Sequence, residues 1–400
     1  MDSVPHQPPL EAEDVSMDTI IPFPLLSLPL ELIHHIVRCL DERPSSSNFP
    51  TGPSTDLLNL ASVNVFFYNY CRPLVWRSIA FEAQLGAPRP EEWVMRRSLK
   101  SLAAIMRESR VVMGSGPKDE GLPADRTRSQ DRLASPLPIK AFSYTSPRHL
   151  PVGLEDDDLR LELEALLDVV CLLKASKVQV LFLHGSEEGV PPKLGAALTT
   201  AILDLDSLSA LRMNQMYIKG KLDLIDQAKP MPHLRTLQIM HGARKLVDIT
   251  RLAPNLESLL LWPHSRGFKD LGQVIAAKLP TLRLLSLDAV HETEFILQLA
   301  NTMETLISSG LSLPLEELFL EGKQTPHHRT ILLTALAKVP SLKRLALYHL
   351  RDAKPQLLYE IHEVAPQLEA LTLVLGILAL PCSGLRLWTT TSLPSPASPS

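Results

Sequence analysis

Apolar residues recur with one short spacing along the second half of the chain. The pattern is a leucine, two variable residues, a second leucine, one variable residue and a third aliphatic residue, first clear at Leu234, Leu237 and Ile239. Successive copies begin 22 to 33 residues apart. The later copies begin at Leu256, Leu282, Leu315, Leu342 and Leu368. Periods in this range predict a stack of similar supersecondary units, because a single unit cannot bury its own apolar face.

Each unit predicts one strand and one helix. In the first clear copy the apolar residues Leu237 and Ile239 flank a polar residue, which is typical of a strand with one buried face. The segments between copies carry apolar residues at helical spacing, as in 271–279 and 331–339. A proline, which cannot continue a helix, precedes several strands. These prolines are Pro254, Pro280, Pro340 and Pro366. The sequence therefore predicts an α/β fold in which each repeat adds one strand to a curved parallel sheet.

Three degenerate copies precede the clear ones. They begin at Ile139, Val178 and Leu208, and they bring the predicted number of units to about nine. Residues 159–174, between the first two, predict a strongly amphipathic helix. The succession of strand, turn, helix and proline resembles the leucine-rich-repeat family, in an irregular variety with long helical returns. The resemblance is strongest from Leu234 to Leu373.

The first eighty residues predict short helices instead of repeats. Pro29 suits the first helical position, and an apolar stripe follows it up to Leu40. Asp56 is predicted to cap a second helix, and an apolar and aromatic stretch continues to Ile79. The ordered fragments "LPLELIHHI", "DLLNLASV" and "PLVWR" resemble the F-box family over residues 28–79. The chain departs from that family in a longer loop at 41–55.

The second resemblance implies a partner. F-box modules bind the Skp-type adaptor of cullin–RING ubiquitin ligases, so the same partner is expected here. Carried over by motif position, the residues expected to face the adaptor or to shape the interface are Leu28, Pro29, Ile33, Ile36, Leu57, Leu60, Val63, Leu74 and Trp76. An alternative is that this segment only caps the repeats, since terminal repeats need capping. Apolar residues on two of its faces favour a partner surface.

The outward positions of the predicted strands form a second candidate surface. Residues next to the paired apolar positions point away from the core, and several of them are large and apolar or aromatic. The resulting candidates for binding a protein substrate are Leu260, Trp262, Leu284, Phe319, Arg344 and Tyr348. They suggest a protein or peptide ligand. The alternative is that they pack against neighbouring strands or a covering loop.

Charge and motif content narrow the function further. A formal net charge of −4 gives no electrostatic case for nucleic acid. The four cysteines are scattered without a Cys-x-x-Cys pair, so neither a zinc site nor a disulfide framework is expected, and a reducing compartment is favoured. His34-His35 and His327-His328 lack further ligands at metal-binding spacing. Hydrolase and metalloprotease motifs are absent. We therefore expect no catalytic residue, no metal and no cofactor.

The chain is predicted to be an intracellular, non-enzymatic protein of the cytoplasm, the nucleus or both, without a signal peptide or membrane segment. The predicted organisation is a disordered leader (1–20), an F-box-like helical module (25–80), a helical bridge (81–108), a flexible loop (109–137), a leucine-rich-repeat solenoid (138–375) and a low-complexity tail (376–400). The expected function is the substrate-recognition subunit of an SCF-type cullin–RING ubiquitin ligase. The alternative is a non-catalytic repeat scaffold that acts outside a ligase.

Overall fold

The structure is a computed structural model, and it describes residues 28–41, 53–63, 65–82, 90–114, 137–146, 156–185, 190–216, 228–240, 248–262, 271–290, 293–350, 356–375 and 390–391. The predicted leader and most of the predicted tail lie outside these residues. So do residues 115–136 of the predicted loop. The helix α4 ends at Gly114, inside the segment whose composition predicts that loop.

The described helices and strands follow one another along the chain. The helices are α1 (Leu30–Asp41), α2 (Thr55–Val63), α3 (Val65–Val75), α4 (Pro90–Gly114), α5 (Asp156–Ser176), α6 (Pro192–Leu203), α7 (Ile249–Leu252), α8 (Leu271–Lys278), α9 (Thr293–Ser308), α10 (Pro326–Leu336) and α11 (Gln356–Val364). The strands are β1 (Ser78–Glu82), β2 (Ala141–Thr145), β3 (Val180–His184), β4 (Ala210–Asn214), β5 (Thr236–Met240), β6 (Ser258–Trp262), β7 (Leu284–Val290), β8 (Glu317–Gln324), β9 (Arg344–Leu350), β10 (Ala370–Leu375) and β11 (Thr390–Thr391).

The strands form a single sheet in which the spatial order equals the chain order. Strands β1 to β10 are all parallel, and the two-residue strand β11 pairs antiparallel with β10. The sheet remains open, because β1 and β10 are not neighbours. This arrangement confirms the α/β class and the expected one parallel strand per repeat. We call the units of β1–β10 the array.

The repeated apolar positions form one continuous core. Leu237, Leu259, Leu285 and Leu318 occupy the same register position on successive strands, and each is 0% exposed. The same cluster includes the buried faces of the helices α4 to α11. The leucines therefore lie on strands and point inward. The opposite side of the sheet, which carries the alternate residues, is called the open face.

The structure adds a strand that the sequence pattern did not predict. The nine predicted copies correspond to β2–β10, whereas β1 precedes them and pairs with β2 in the register Ile79–Phe142. Trp76, Ile79 and Phe81 follow the same spacing as the leucines of later units, and all three pack against the array core. Aromatic residues thus take the place of leucines in the first unit.

A line of charged residues precedes the strands β5 to β10. The residue directly before each strand alternates in sign along the array: Arg235, Glu257, Arg283, Glu316, Lys343 and Glu369. Arg235 is ion-paired with Glu257. Arg283 lies 2.6 Å from Glu316, and Lys343 lies 3.6 Å from Glu369. We call these residues the charge ladder. It places opposite charges on adjacent units when the strands are in their observed register.

The helices α1, α2 and α3, called the N-terminal helices, have a core of their own. Buried apolar residues of all three meet in a cluster separate from the array core. The start of α2 is capped by Ser54 and not by the predicted Asp56: the Ser54 hydroxyl accepts from the Leu57 N–H at 3.0 Å. The same hydroxyl donates to the Leu40 carbonyl at 2.7 Å. One side chain therefore ties the end of α1 to the start of α2.

Candidate protein-interaction surfaces

The N-terminal helices bury part of the predicted adaptor set. Ile33 and Leu57 are 4% and 0% exposed, respectively, and belong to the cluster between the helices. Leu28, Leu60 and Leu74 are partly buried against that cluster. These five side chains hold the helices together, so any effect that they have on a partner would act largely through the shape of the module.

The remaining members of the set point elsewhere. Pro29, Ile36 and Val63 are exposed, Ile36 by 37% and Val63 by 61%. Trp76 is partly buried against the array core, at the position that leucine takes in later units. Its buried indole N–H has no acceptor among the residues that the structure describes. The predicted set thus divides into side chains inside the module, side chains at its surface, and one side chain shared with the array.

Further apolar side chains of the N-terminal helices face outward, and sequence reasoning did not single them out. They are Leu30, Leu32, Leu58, Phe66 and Tyr68, each between 42% and 55% exposed. In each helix, an apolar stripe faces the neighbouring helices while other apolar residues lie outside that stripe. This surface could have been predicted from the apolar residues that lie outside the stripe of each helix.

An aromatic group links α1 and α3 at the edge of this surface. Phe66 stacks on Tyr70 with a centroid distance of 6.1 Å, and the Tyr70 hydroxyl is hydrogen-bonded to His34 Nδ1. Burial, with the neighbouring Cys71 thiol as the smaller cause, raises the pKa of the Tyr70 hydroxyl. His34 therefore has a structural role here, because its hydrogen bond with Tyr70 joins α1 to α3.

The substrate candidates lie on the open face, as their alternation predicts. Leu260 on β6 and Phe319 on β8 share one row across the strands, with Ser286 of β7 between them. Leu284, Glu317 and Arg344 form the preceding row. Trp262 ends β6, and Tyr348 lies opposite Glu321. Arg344 is exposed, and the five other candidates are partly buried.

One ion pair and one contact between a histidine and a carboxylate border these side chains on β8 and β9. Arg344 lies 3.2 Å from a Glu317 carboxylate oxygen, and His349 Nε2 lies 2.6 Å from Glu321 Oε1. His349 has a φ of +56°, which is the left-handed region that residues other than glycine rarely adopt. It also lies at an irregularity between β8 and β9. The positive φ and the irregularity thus coincide at the residue that contacts Glu321.

The opposite end of the open face, on β2 and β3, is closed. The outward residues Ser143, Phe182 and His184 are 1%, 6% and 4% exposed. His184 lies between two side chains, with Gln215 Oε1 at 2.9 Å from Nε2 and Asn214 Nδ2 at 3.2 Å from Nδ1. The two amide side chains hold the His184 ring in place on the open face. Sequence reasoning missed this group because its residues lie on the degenerate copies.

A buried polar contact joins the same region to the helices. The Tyr144 hydroxyl donates to Glu162 of α5, and both residues are buried. Burial first, and then the Glu162 charge, raises the pKa of the Tyr144 hydroxyl well above its usual value of 10.0. The contact fixes α5 on the sheet, and it is too enclosed to contact a protein partner.

Two other kinds of site are absent from the described residues. No group of three or more His, Cys, Asp or Glu side chains among them has the arrangement to hold a metal ion. None of the helices that the structure describes is both long and apolar enough to span a membrane.

The fold and these surfaces define a repeat protein with an open parallel sheet and a separate group of N-terminal helices. No model of a protein family matches the chain, and a search of curated proteins finds no significant match.

Proposed function

We propose that the chain is the substrate-recognition subunit of an SCF-type cullin–RING ubiquitin ligase. The N-terminal helices would bind the Skp-type adaptor, and the open face of the array would hold a protein substrate. The chain itself would carry out no chemistry. It would raise the effective concentration of substrate lysines near the ubiquitin-loaded enzyme by holding both partners in one assembly.

One observation carries this proposal. Seven of the eleven large apolar side chains that are exposed among the described residues lie on the N-terminal helices: Leu30, Leu32, Ile36, Leu58, Val63, Phe66 and Tyr68. These helices already have a core of their own, so these seven side chains are not needed inside it. Such a concentration of exposed apolar groups on three short helices is typical of a surface that a partner covers. The motif order of the F-box family, over residues 28–79, supplies the identity of that partner.

The array supplies the second half of the proposal. Its open face presents partly buried leucine and aromatic side chains beside an ion pair and a contact between a histidine and a carboxylate, a mixture typical of protein interfaces. Because β1 pairs directly with β2, the N-terminal helices join the array through a strand of the same sheet. A substrate on the open face would therefore be held at a defined distance from the adaptor.

The test is co-expression of the full chain with a Skp-type adaptor, followed by affinity purification. We expect the adaptor to copurify with the parent chain and to be lost from Ile36→Asp/Val63→Asp, because both side chains are exposed and the substitutions leave the helix core intact. The variant Leu28→Ala/Pro29→Ala should also lose it. The matched control is Leu358→Asp on α11, since Leu358 is 46% exposed but lies on the array. Adaptor binding that is unchanged in Ile36→Asp/Val63→Asp would contradict the assigned surface.

A second candidate function is a repeat scaffold whose N-terminal helices only cap the array. The packing of Trp76, Ile79 and Phe81 against the array core favours it, because these residues make the N-terminal segment continuous with the sheet. On this reading no adaptor copurifies with the parent chain, and deletion of residues 1–75 lowers the thermal midpoint of the array.

A further inference from the structure

The last unit of the array exposes side chains at positions that are buried in the unit before it. Leu332 and Leu333 of α10, and Leu358 and Tyr359 of α11, precede the leading leucine of the following copy by equal distances. Leu332 and Leu333 are 0% and 3% exposed, whereas Leu358 and Tyr359 are 46% and 76% exposed. The helix α11 packs beside α10, but no described helix follows α11. We call the surface formed by Leu358 and Tyr359, together with the outer edge of β10, the end face.

The strand β10 has an outer edge that can pair with a further segment. One edge of β10 pairs with β9, and at the other edge the two residues of β11 pair with Leu371 and Thr372. Beyond Thr372, at 373–375, this outer edge has no strand partner among the described residues. Charged side chains keep many natural edge strands from pairing, and β10 carries none over Ala370–Leu375. The outer edge of β10 is therefore suited to pairing with an extended segment.

The short strand β11 indicates the direction and the register of such a segment. It runs antiparallel to β10, with Thr390 opposite Thr372. In an antiparallel pair, each step forward on one strand is one step back on the other. Continued past Thr372, the observed register therefore sets Trp388 opposite Val374.

The chain between β10 and β11 has the composition that the end face needs. Residues 376–389 lie outside the described residues, and their sequence contains a single charged residue, Arg386. Its apolar residues are Ile377, Leu378, Ala379, Leu380, Leu385, Leu387 and Trp388. Both ends of this segment are attached at one strand, through β10 itself and through the pairing of β11. Such attachment raises the effective concentration of the segment at the end face, whereas a second copy of the chain would have to lose translational and rotational freedom to bind there.

We propose that residues 376–389 bind to the end face, where Trp388 and its neighbours extend the antiparallel pairing of β11 along β10 and the remaining apolar residues cover Leu358 and Tyr359. The segment then caps the array, because a terminal unit needs a cover in place of the unit that would otherwise follow it. This capping role does not depend on the proposed function, since the N-terminal helices take no part in it.

The test is disulfide crosslinking, in the full chain, between cysteines placed on β10 and on the segment. Opposite residues of an antiparallel pair have Cβ atoms about 4.5–5.5 Å apart, which a disulfide can bridge with a small movement. Val374→Cys/Trp388→Cys tests the continued register, and Thr372→Cys/Thr390→Cys is the positive control because the structure shows this pair. All variants also carry three substitutions that remove other reactive thiols: Cys39→Ser, Cys171→Ser and Cys382→Ser.

A matched variant makes the expected register specific. Val374→Cys/Leu387→Cys moves one cysteine by a single residue, so its side chain would point to the opposite face of the strand. After mild oxidation, the crosslinks are identified by mass spectrometry of proteolytic peptides. We expect the fraction of intrachain disulfide in Val374→Cys/Trp388→Cys to approach that of the positive control and to exceed that of Val374→Cys/Leu387→Cys by at least about fivefold.

Hydrogen–deuterium exchange supplies a second measurement that needs no engineered disulfide. In Trp388→Asp a charged side chain replaces the residue opposite Val374, so the amides of 373–375 should exchange at least about tenfold faster than in the parent, a difference of about 1.4 kcal/mol. Leu393→Asp introduces the same charge beyond β11 and should leave the exchange of these amides unchanged.

Three results would overturn the proposed cap. The first is an in-register disulfide that forms no more often than the off-register one. The second is a disulfide between two chains, visible as a dimer on a non-reducing gel, which would assign the end face to a second copy of the chain. The third is equal exchange of the β10 amides in Trp388→Asp and the parent.

Discussion

Replacing two adjacent leucines of β7 by alanine tests the central feature of the fold. Leu285 is 0% exposed, and its register neighbours Leu259 and Leu318 are also 0% exposed. Leu284 precedes it in sequence, points to the open face, and is only partly buried beside Ser258 and Glu317. The two substitutions remove the same atoms, so they differ only in the face from which these atoms are removed.

The expected magnitudes differ by several-fold. Leu285→Ala leaves a cavity between two strands that are fixed by their own neighbours, so the site cannot collapse, and the loss of unfolding free energy should be about 2–5 kcal/mol. Leu284→Ala exposes no buried cavity and should cost less than about 1 kcal/mol. A perturbation of Leu285 should also be felt by the adjacent units, because each unit is stabilised by its neighbours.

The assay is equilibrium urea denaturation of the full chain, followed by far-UV circular dichroism. The parent, Leu284→Ala and Leu285→Ala should have similar slopes, which permits a direct comparison of midpoints. We expect the midpoint of Leu285→Ala to fall well below that of Leu284→Ala. Equal midpoints of the two variants, or a lower midpoint for Leu284→Ala, would refute the assignment of the inward face.

Two further perturbations test polar contacts. The folded state keeps the Tyr144 proton, while the unfolded chain loses it near pH 10.0, so the parent should lose stability as pH rises above this value. Tyr144→Phe should be less stable than the parent at pH 7 by about 1–3 kcal/mol, because it loses the buried hydrogen bond. Its stability should fall less steeply at alkaline pH, because it has no hydroxyl proton to lose. Parallel alkaline curves in thermal melts would contradict this reasoning. Arg283→Glu places a third carboxylate between Glu257 and Glu316. Its thermal midpoint should therefore fall at low salt and partly recover at about 0.5 M salt. The thermal midpoint of Arg283→Gln, which adds no negative charge, should fall less. A deficit independent of salt would show that the charge ladder is not its cause.

The sequence pattern was sufficient for the strands β2 to β10. The six clear copies became β5–β10, and the three degenerate copies became β2–β4, because two-residue alternation is set by the geometry of a strand. The strand β1 was missed because Trp76 and Ile79 lie in the segment that resembles an F-box, over residues 28–79. A search for the repeat spacing finds β1 when aromatic residues are counted together with leucine at the apolar positions.

The candidate surfaces were only partly accessible to sequence reasoning. Alternation placed Leu260, Phe319 and Tyr348 on the open face, where the structure has them. Which residues of the N-terminal helices are buried was not predictable, because apolar residues occur on more than one side of each helix. The pair of His349 and Glu321 was also missed: it depends on a positive φ and a local register irregularity, and neither leaves a trace in the pattern of apolar residues.

The charge ladder has a consequence for how the array can change in length. Removing the single unit of β7 would bring Glu257 next to Glu316 and set two negative charges side by side. Removing the units of β7 and β8 together would bring Glu257 next to Lys343, which restores an attractive pair. Within this stretch, the gain or loss of an even number of units keeps opposite charges on adjacent units. The gain or loss of an odd number places two like charges on adjacent units at one position.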